Sequence, residues 1–262
     1  MTTPDATTDG RIGYQVVDSV ATLTLDRPDK LNAATREMSR RLLELIPEID
    51  ADPDVRVVVV TGSGRSFSVG SDITELDRYP TPWAFRNRLD YCDALRSMRT
   101  PAIAAVNGYA FGGGLEMALS CDIRLAASTA RFAAAEIKLG WIGGGGVSAL
   151  LHHSVSASDA ALLLLTGDPI DADEALRMGL VSRVLPPDDL LPAAQELAAQ
   201  VAARPPIAAQ AAKANLRAAM SMGLEAAIQY ERELQAVAMG TADAAEGRRA
   251  FAERRPGAFA GE

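Results

Sequence analysis

Gly112-Gly113-Gly114-Leu115-Glu116 is the stretch whose residue types and spacing point most directly to chemistry. Glycines at the entrance of a helix let a ligand approach the backbone and leave N–H groups without intrahelical acceptors. With the helix dipole behind them, those N–H groups form a site for developing negative charge. Glu116 follows Gly113 by three residues, so it projects from nearly the same face one turn on. A carboxylate beside an anion hole would repel a static anion. It is useful if it handles a proton while a neutral carbonyl becomes an enolate. The spacing alone equally allows a tightly packed helix start with a solvated glutamate.

Other candidates lead elsewhere or nowhere. Thr61-Gly62-Ser63-Gly64-Arg65-Ser66-Phe67 follows a strand, but Phe67 stands where a dinucleotide fingerprint needs its third glycine, and the next glycine is Gly70. A Gly-Lys-Ser/Thr phosphate loop occurs nowhere in the chain. Nucleotide-dependent oxidoreduction and phosphoryl transfer are therefore disfavoured. His152-His153, the only histidines, are adjacent on a predicted helix and cannot share a face, so no metal site is expected. Cys92 and Cys121 have no metal-ligand spacing and read as reduced thiols, Cys121 as a small buried apolar residue.

The elements that must position these residues follow from periodicity. Tyr14–Val17 and Val20–Leu25 read as a hairpin about Asp18-Ser19. Met38, Leu42, Leu45 and Ile49 predict a helix from Thr35 to about Ile49, kinked or shortened by Pro47. Val57–Val60 reads as a buried strand, residues 61–79 as a loop with one short helix, and Trp83 to about Met98 as a helix. Strands are predicted at Ala102–Val106, Ile123–Ala126, Arg131–Ala134 and Leu180–Val184, with a helix at Leu115–Ser120. Asp171-Ala172-Asp173-Glu174 has the spacing of a capped helix start. Beyond Asp188, alanine-rich helices are punctuated by Pro205-Pro206 and Gly223.

A chain of 262 residues with 48% hydrophobic and 23% charged residues can bury a core without disulfides or metals. The pattern predicts an α/β core over residues 1–204 and a helical appendage over 205–262. The formal net charge of −8 argues against non-specific nucleic-acid binding, but leaves an anionic small ligand open. No apolar run approaches the ~20 residues of a membrane span, and Met1-Thr2-Thr3-Pro4-Asp5 lacks the features of a signal peptide. A soluble cytoplasmic protein, with no nucleic-acid or membrane partner, is expected.

Several segments, in order, resemble the enoyl-CoA hydratase/isomerase (crotonase) family. The most specific runs from Ala104-Ala105-Val106-Asn107-Gly108-Tyr109 through Gly112-Gly113-Gly114-Leu115-Glu116 to Ser120-Cys121-Asp122. Leu25-Asp26-Arg27-Pro28, Leu31-Asn32-Ala33 and Phe67-Ser68-Val69-Gly70-Ser71-Asp72-Ile73 precede it. Leu165-Thr166-Gly167-Asp168, Gly179-Leu180-Val181 and Phe251-Ala252-Glu253-Arg254-Arg255 follow. The resemblance implies a crotonase-type spiral of ββα units with a C-terminal helical trimerisation region. It also implies a trimer or a dimer of trimers.

By the same resemblance, the backbone N–H groups of Ser71 and Gly113 form an oxyanion hole. Glu116 helps activate the water that adds at C3, and Glu136 exchanges the proton at C2. Gly144 helps place the water, and Trp141 could close one side of the acyl pocket, with core packing as the plainer reading. Arg27, Leu31, Ala33, Asp72, Ile73 and Arg254 are the implied CoA contacts; Arg255 is a further candidate. Ser71 stands in place of the usual alanine of an Ala-Gly-Ala-Asp-like segment, and Val69 replaces a smaller residue. Ala135 stands where many relatives have proline. Gly143-Gly144-Gly145-Gly146 replaces a proline-containing turn, which predicts a more mobile loop.

The implied reaction is reversible hydration of a trans-2-enoyl-CoA to a 3-hydroxyacyl-CoA. It needs no metal, flavin or nicotinamide and no cofactor beyond the substrate's own CoA. Two readings compete with it: a Δ3-Δ2 isomerase working through Glu136 alone, and a non-catalytic acyl-CoA-binding protein.

Overall fold

A computed structural model describes residues 10–76 and 78–262; the N-terminal segment Met1-Thr2-Thr3-Pro4-Asp5 lies outside the described residues. Asp18 and Ser19 both take left-handed φ values, 49° and 65°, which a two-residue hairpin turn requires. Strand β1 (Arg11–Val17) therefore folds back antiparallel on β2 (Val20–Asp26), as the sequence predicts. From β2 the sheet continues in parallel through β3 (Val57–Gly62), β5 (Ala102–Val106), β7 (Ile123–Ala127) and β10 (Arg183–Leu185). A second sheet has the order β4 (Ser66–Ser68), β6 (Tyr109–Phe111), β8 (Arg131–Ala133) and β9 (Ile170–Asp171). The consecutive pairs β3–β4, β5–β6 and β7–β8 each give one strand to each sheet before the chain turns helical. This is the ββα spiral that the resemblance implies.

The helices are α1 (Arg36–Ala51), α2 (Ile73–Leu76), α3 (Pro82–Arg86), α4 (Tyr91–Ser97), α5 (Gly113–Ser120) and α6 (Val147–Ser154). Then come α7 (Ala157–Thr166), α8 (Ala172–Arg177), α9 (Pro187–Ala202), α10 (Pro206–Ala219), α11 (Leu224–Met239) and α12 (Ala242–Glu253). The unbroken valine run of β3 is explained by layers on both of its faces. Val58 and Val60 join the core containing Met38, Leu42 and Leu45 of α1. Val57 and Val59 pack with Leu190, Ala194 and Ala198 of α9.

Three predicted boundaries are corrected. Helix α1 continues through Pro47 to Ala51. A helix-interior proline costs about 3 kcal/mol, whereas each fully buried aliphatic side chain contributes about 1.5–3 kcal/mol. Met38, Leu42, Leu45 and Ile49, all buried, outweigh the proline. The single helix predicted from Trp83 to Met98 is two helices, α3 and α4. The Asn87 side chain donates to the Trp83 carbonyl, and Asp90 starts a new helix by capping the Cys92 N–H. The late strand is Arg183–Leu185 rather than Leu180–Val184, because the Leu180 and Val181 N–H groups donate to the Ala175 carbonyl in the turn after α8. Asp171 caps α8 through the Glu174 N–H, as expected.

The last helices are tied back by buried polar contacts. Lys213 of α10 donates to the Thr100 carbonyl at 2.7 Å and pairs with Asp122 at 2.7 Å. Arg56 donates to the carbonyl of Phe259 near the chain's end. Among the described residues, no helix is long and apolar enough to cross a membrane.

Candidate active site

The strand β6 leads through Gly112, at φ 53°, into α5, whose first residue is Gly113. As the first helical residue, Gly113 has no intrahelical acceptor for its N–H. Facing it is the segment Gly70–Ser71. Ala34 donates to the Gly70 carbonyl at 2.7 Å and accepts from the Asp72 N–H at 2.9 Å, a parallel bridge. Extended backbone alternates its polar groups, so the Ser71 N–H points away from Ala34. The two segments nearly touch. A Cβ on Gly70, itself at φ 88°, would lie 2.6 Å from the Gly113 nitrogen, and one on Gly113 would lie 3.5 Å from the Ser71 nitrogen. Asn32 anchors the approach to this segment, its buried side-chain amide donating to the carbonyls of Ser63, Ser66 and Phe67.

Glu116 is buried one turn into α5. Its Oε1 accepts from the N–H groups of Gly145 at 2.8 Å and Val147 at 3.2 Å. Glu136 lies on the 3₁₀ turn Ala135–Leu139, with Oε1 3.2 Å from where a Cβ on Gly112 would stand. Its Oε2 is buried with no hydrogen-bond partner among the described residues. A Cβ on Gly143 would lie 2.5 Å from Glu116 Oε1 and 3.0 Å from Glu136 Oε1, so both carboxyl groups border one small space. Burial pushes the Glu116 carboxyl up to about 7, against the pull of the Val147 and Gly145 N–H bonds. Burial also raises Glu136 above its ordinary value. The backbone donors favour the ionised form of Glu116, and the unpartnered oxygen favours the neutral form of Glu136.

Apolar walls flank this centre. Ile73, Leu76, Phe85, Trp141 and Ile142 line an open cavity of about 520 Å³. Trp141 and Ile142 also border a smaller one of about 210 Å³ that reaches Glu136, Val147 and Leu164. The arrangement can polarise a carbonyl at two N–H groups, hold an apolar chain beside it, and move protons at two carboxyl groups.

A sequence profile described as enoyl-CoA hydratase/isomerase matches residues 15–262. The chain belongs to the enoyl-CoA hydratase/isomerase family. It is 41% identical over 241 residues to a Mycobacterium tuberculosis protein named "Probable enoyl-CoA hydratase", covering 92% of this chain and 94% of that one. It is 39% identical to the (E)-benzylidenesuccinyl-CoA hydratase of Thauera aromatica, covering 95% and 99%. A solved enoyl-CoA hydratase from Bacillus anthracis superposes with a TM-score of 0.90 at 30% identity, covering 96% and 99%.

Within this enoyl-CoA hydratase/isomerase chain, Ser71, Gly113, Glu116 and Glu136 converge, and Trp141 and Ile73 share the apolar wall. Trp141 is 42% exposed, which removes the core-packing reading. Gly144 sits beside Arg88, and it is Gly145 whose N–H binds Glu116. Arg27 is engaged internally, pairing with Asp72 at 2.7 Å and donating to the Ala33 carbonyl at 3.2 Å. Leu31 takes a left-handed φ of 51°, and its carbonyl accepts from the Val69 N–H. Arg254, exposed at the end of α12, makes no ion pair among the described residues, whereas Arg255 pairs with Glu246 and Glu253. His152 and His153 end α6 side by side, and no metal-ligand cluster occurs among the described residues.

Sequence reasoning missed Tyr91, Cys92 and the Val147 N–H. Asp90, two residues ahead of the N–H that it caps and three ahead of the acidic Asp93, was the available signal for a helix start there.

Proposed function

We propose that this protein is an enoyl-CoA hydratase, adding water reversibly to a trans-2-enoyl-CoA to give a 3-hydroxyacyl-CoA. The observation that carries this reading is that both carboxyl groups face one space beside two convergent backbone N–H groups. The thioester oxygen sits at the Ser71 and Gly113 N–H groups, which stabilise the enolate charge; one such donor is typically worth about 3–4 kcal/mol. Glu116, ionised, takes a proton from the water that adds at C3. Glu136, protonated, delivers a proton to C2, so the pair holds one proton before and after the addition. The Gly143–Gly146 backbone closes the water side.

The acyl chain runs along Trp141, Ile142 and Ile73. CoA lies over the segment containing Leu31, Ala33, Asp72 and Ile73, where the Arg27–Asp72 pair braces the wall. Arg254 meets CoA across a subunit boundary. Apolar side chains exposed on α10–α12, among them Leu216, Leu224, Val237 and Phe251, support assembly into a trimer or a dimer of trimers. The two buried, unpaired cysteines suit a reducing cytoplasm.

Loss of the conjugated-thioester absorbance of crotonyl-CoA and longer 2-enoyl-CoAs tests the reaction. Rapid loss that is abolished in both Glu116→Gln and Glu136→Gln supports hydration. Double-bond migration that survives Glu116→Gln would instead identify an isomerase, and tight binding without turnover a binding protein.

A further inference from the structure

The start of α4 touches both halves of the hole. Asp90, held by Arg88 at 2.9 Å, caps the Cys92 N–H and so fixes Tyr91 and Cys92 at the first helical positions. The buried Tyr91 hydroxyl lies 3.1 Å from Ser71 Oγ. It also lies 2.6 Å from the point that a Cβ on Gly113 would occupy. The next residue continues the contact: Cys92 Sγ faces the Gly113 carbonyl at 3.8 Å. Its Cβ stands 3.0 Å from where a Cβ on Gly145 would be, so the same helix start also supports the loop that binds Glu116.

We propose that Tyr91 is a positioning residue of the oxyanion hole: its hydroxyl, bonded to Ser71 Oγ and seated against Gly113, sets the spacing and direction of the two N–H donors. This rests on the hydratase reading and adds to it a device that the family's usual alanine at position 71 could not supply. The outer side of Ser71 is held by the Ala34 bridge. On its inner side, the bond to Tyr91 is the only side-chain hydrogen bond of Ser71 among the described residues. Gly70, in a left-handed conformation next to it, offers little stiffness of its own. Burial raises the Tyr91 phenol well above its ordinary range, so the pair stays two neutral hydroxyls and puts no charge beside the developing oxyanion. Residue 113 must then be glycine for two reasons: the N–H must be reachable, and the Tyr91 hydroxyl occupies the side-chain position.

The test compares wild type, Tyr91→Phe, Ser71→Ala and the double variant by kcat and KM on crotonyl-CoA. It adds the long-wavelength absorbance shift of cinnamoyl-CoA on binding, which reports polarisation of the thioester carbonyl. Each single variant is expected to lower kcat by about tenfold to a hundredfold, the scale of small misplacements of reacting groups. KM should change by less than about threefold, because the loss falls on the transition state. The absorbance shift should shrink, and the double variant should be no worse than the poorer single one, since both remove one contact. Undiminished kcat and shift in the single variants would overturn the proposal, as would additive losses with a full shift. Should Tyr91→Phe fail to fold, Ser71→Ala removes the same bond from the loop side and decides alone. A wild type that hydrates no enoyl-CoA would sink the hydratase reading, and the shift would then decide on Tyr91: reduced in the variants supports it, unchanged overturns it.

Discussion

Replacing Glu116 by Gln should abolish turnover and, at the same time, stabilise the fold in a pH-dependent way. The catalytic half is simple: general acid–base groups contribute about 10²–10⁴-fold, so kcat should fall by that much at pH 8. The stability half comes from the buried carboxyl, pushed from an ordinary 4.5 up to about 7. Below pH 4.5 it is protonated in the folded and unfolded chains alike and costs nothing. Between 4.5 and 7 the unfolded chain ionises first, so stability falls as pH rises. Above 7 the cost is fully present. At about 1.4 kcal/mol per pH unit it amounts to roughly 3 kcal/mol. Gln has nearly the same shape, and its carbonyl can still accept from the Gly145 and Val147 N–H groups, so it escapes this cost without losing those bonds.

Urea unfolding at one fixed protein concentration, from pH 4.5 to 8.5, measures the difference. The variant should match wild type near pH 4.5 and exceed it by up to about 3 kcal/mol at pH 8. Wild-type turnover should also decline below about pH 7 as Glu116 takes up its proton and can no longer act as the base. A stability difference that does not grow with pH, or a variant less stable at pH 8, would refute the buried, reluctantly ionised carboxylate on which this reasoning stands.

Gly145→Ala would drive a methyl to 2.6 Å from Glu116 Oε2, and kcat on crotonyl-CoA should fall by more than about tenfold while circular dichroism stays native-like. Trp141→Ala should lower kcat/KM for long-chain 2-enoyl-CoAs by about tenfold and leave crotonyl-CoA nearly unchanged, because the indole walls the apolar cavity rather than the reacting carbons. Lys213→Ala leaves Asp122 without its buried partner, and unfolding experiments should show a loss of about 3 kcal/mol or more.

What was legible in the sequence was whatever depends on local spacing. The valine run of β3, the α1 stripe and the Gly112–Glu116 helix start all announce themselves within a few residues. The contacts of Arg27 and Asp72, forty-five residues apart, do not. Neither does the identity of the N–H groups that hold Glu116, which come from the glycine run and the first residue of α6, twenty-nine and thirty-one residues away. Tyr91 was hidden for a different reason. A continuous helical pattern from Trp83 masked the break at Asn87–Asp90, and only the cap at Asp90 reveals that a new helix begins with its side chain turned toward Ser71.

The glycine run at 143–146 shows how the same residues carry opposite meanings in sequence and in space. Read alone, four glycines predict looseness, since each has more conformational freedom to lose. In the fold, a Cβ on Gly143 or on Gly145 would collide with the Glu116 carboxylate, at 2.5 Å and 2.6 Å respectively. Gly146, at φ 113°, then turns the chain into α6. Gly145 is bonded at both ends, its N–H to Glu116 and its carbonyl to Arg96 at 3.1 Å. The run therefore buries a carboxylate by wrapping backbone around it at distances no side chain would permit. The burial that results raises the pKa of Glu116 to about 7, against the pull of the Gly145 and Val147 N–H groups, into the range in which a group can both take and release a proton. Smallness at these positions and basicity at Glu116 are one property, so any residue that pushes the loop outward should lower the Glu116 pKa and the hydration rate together.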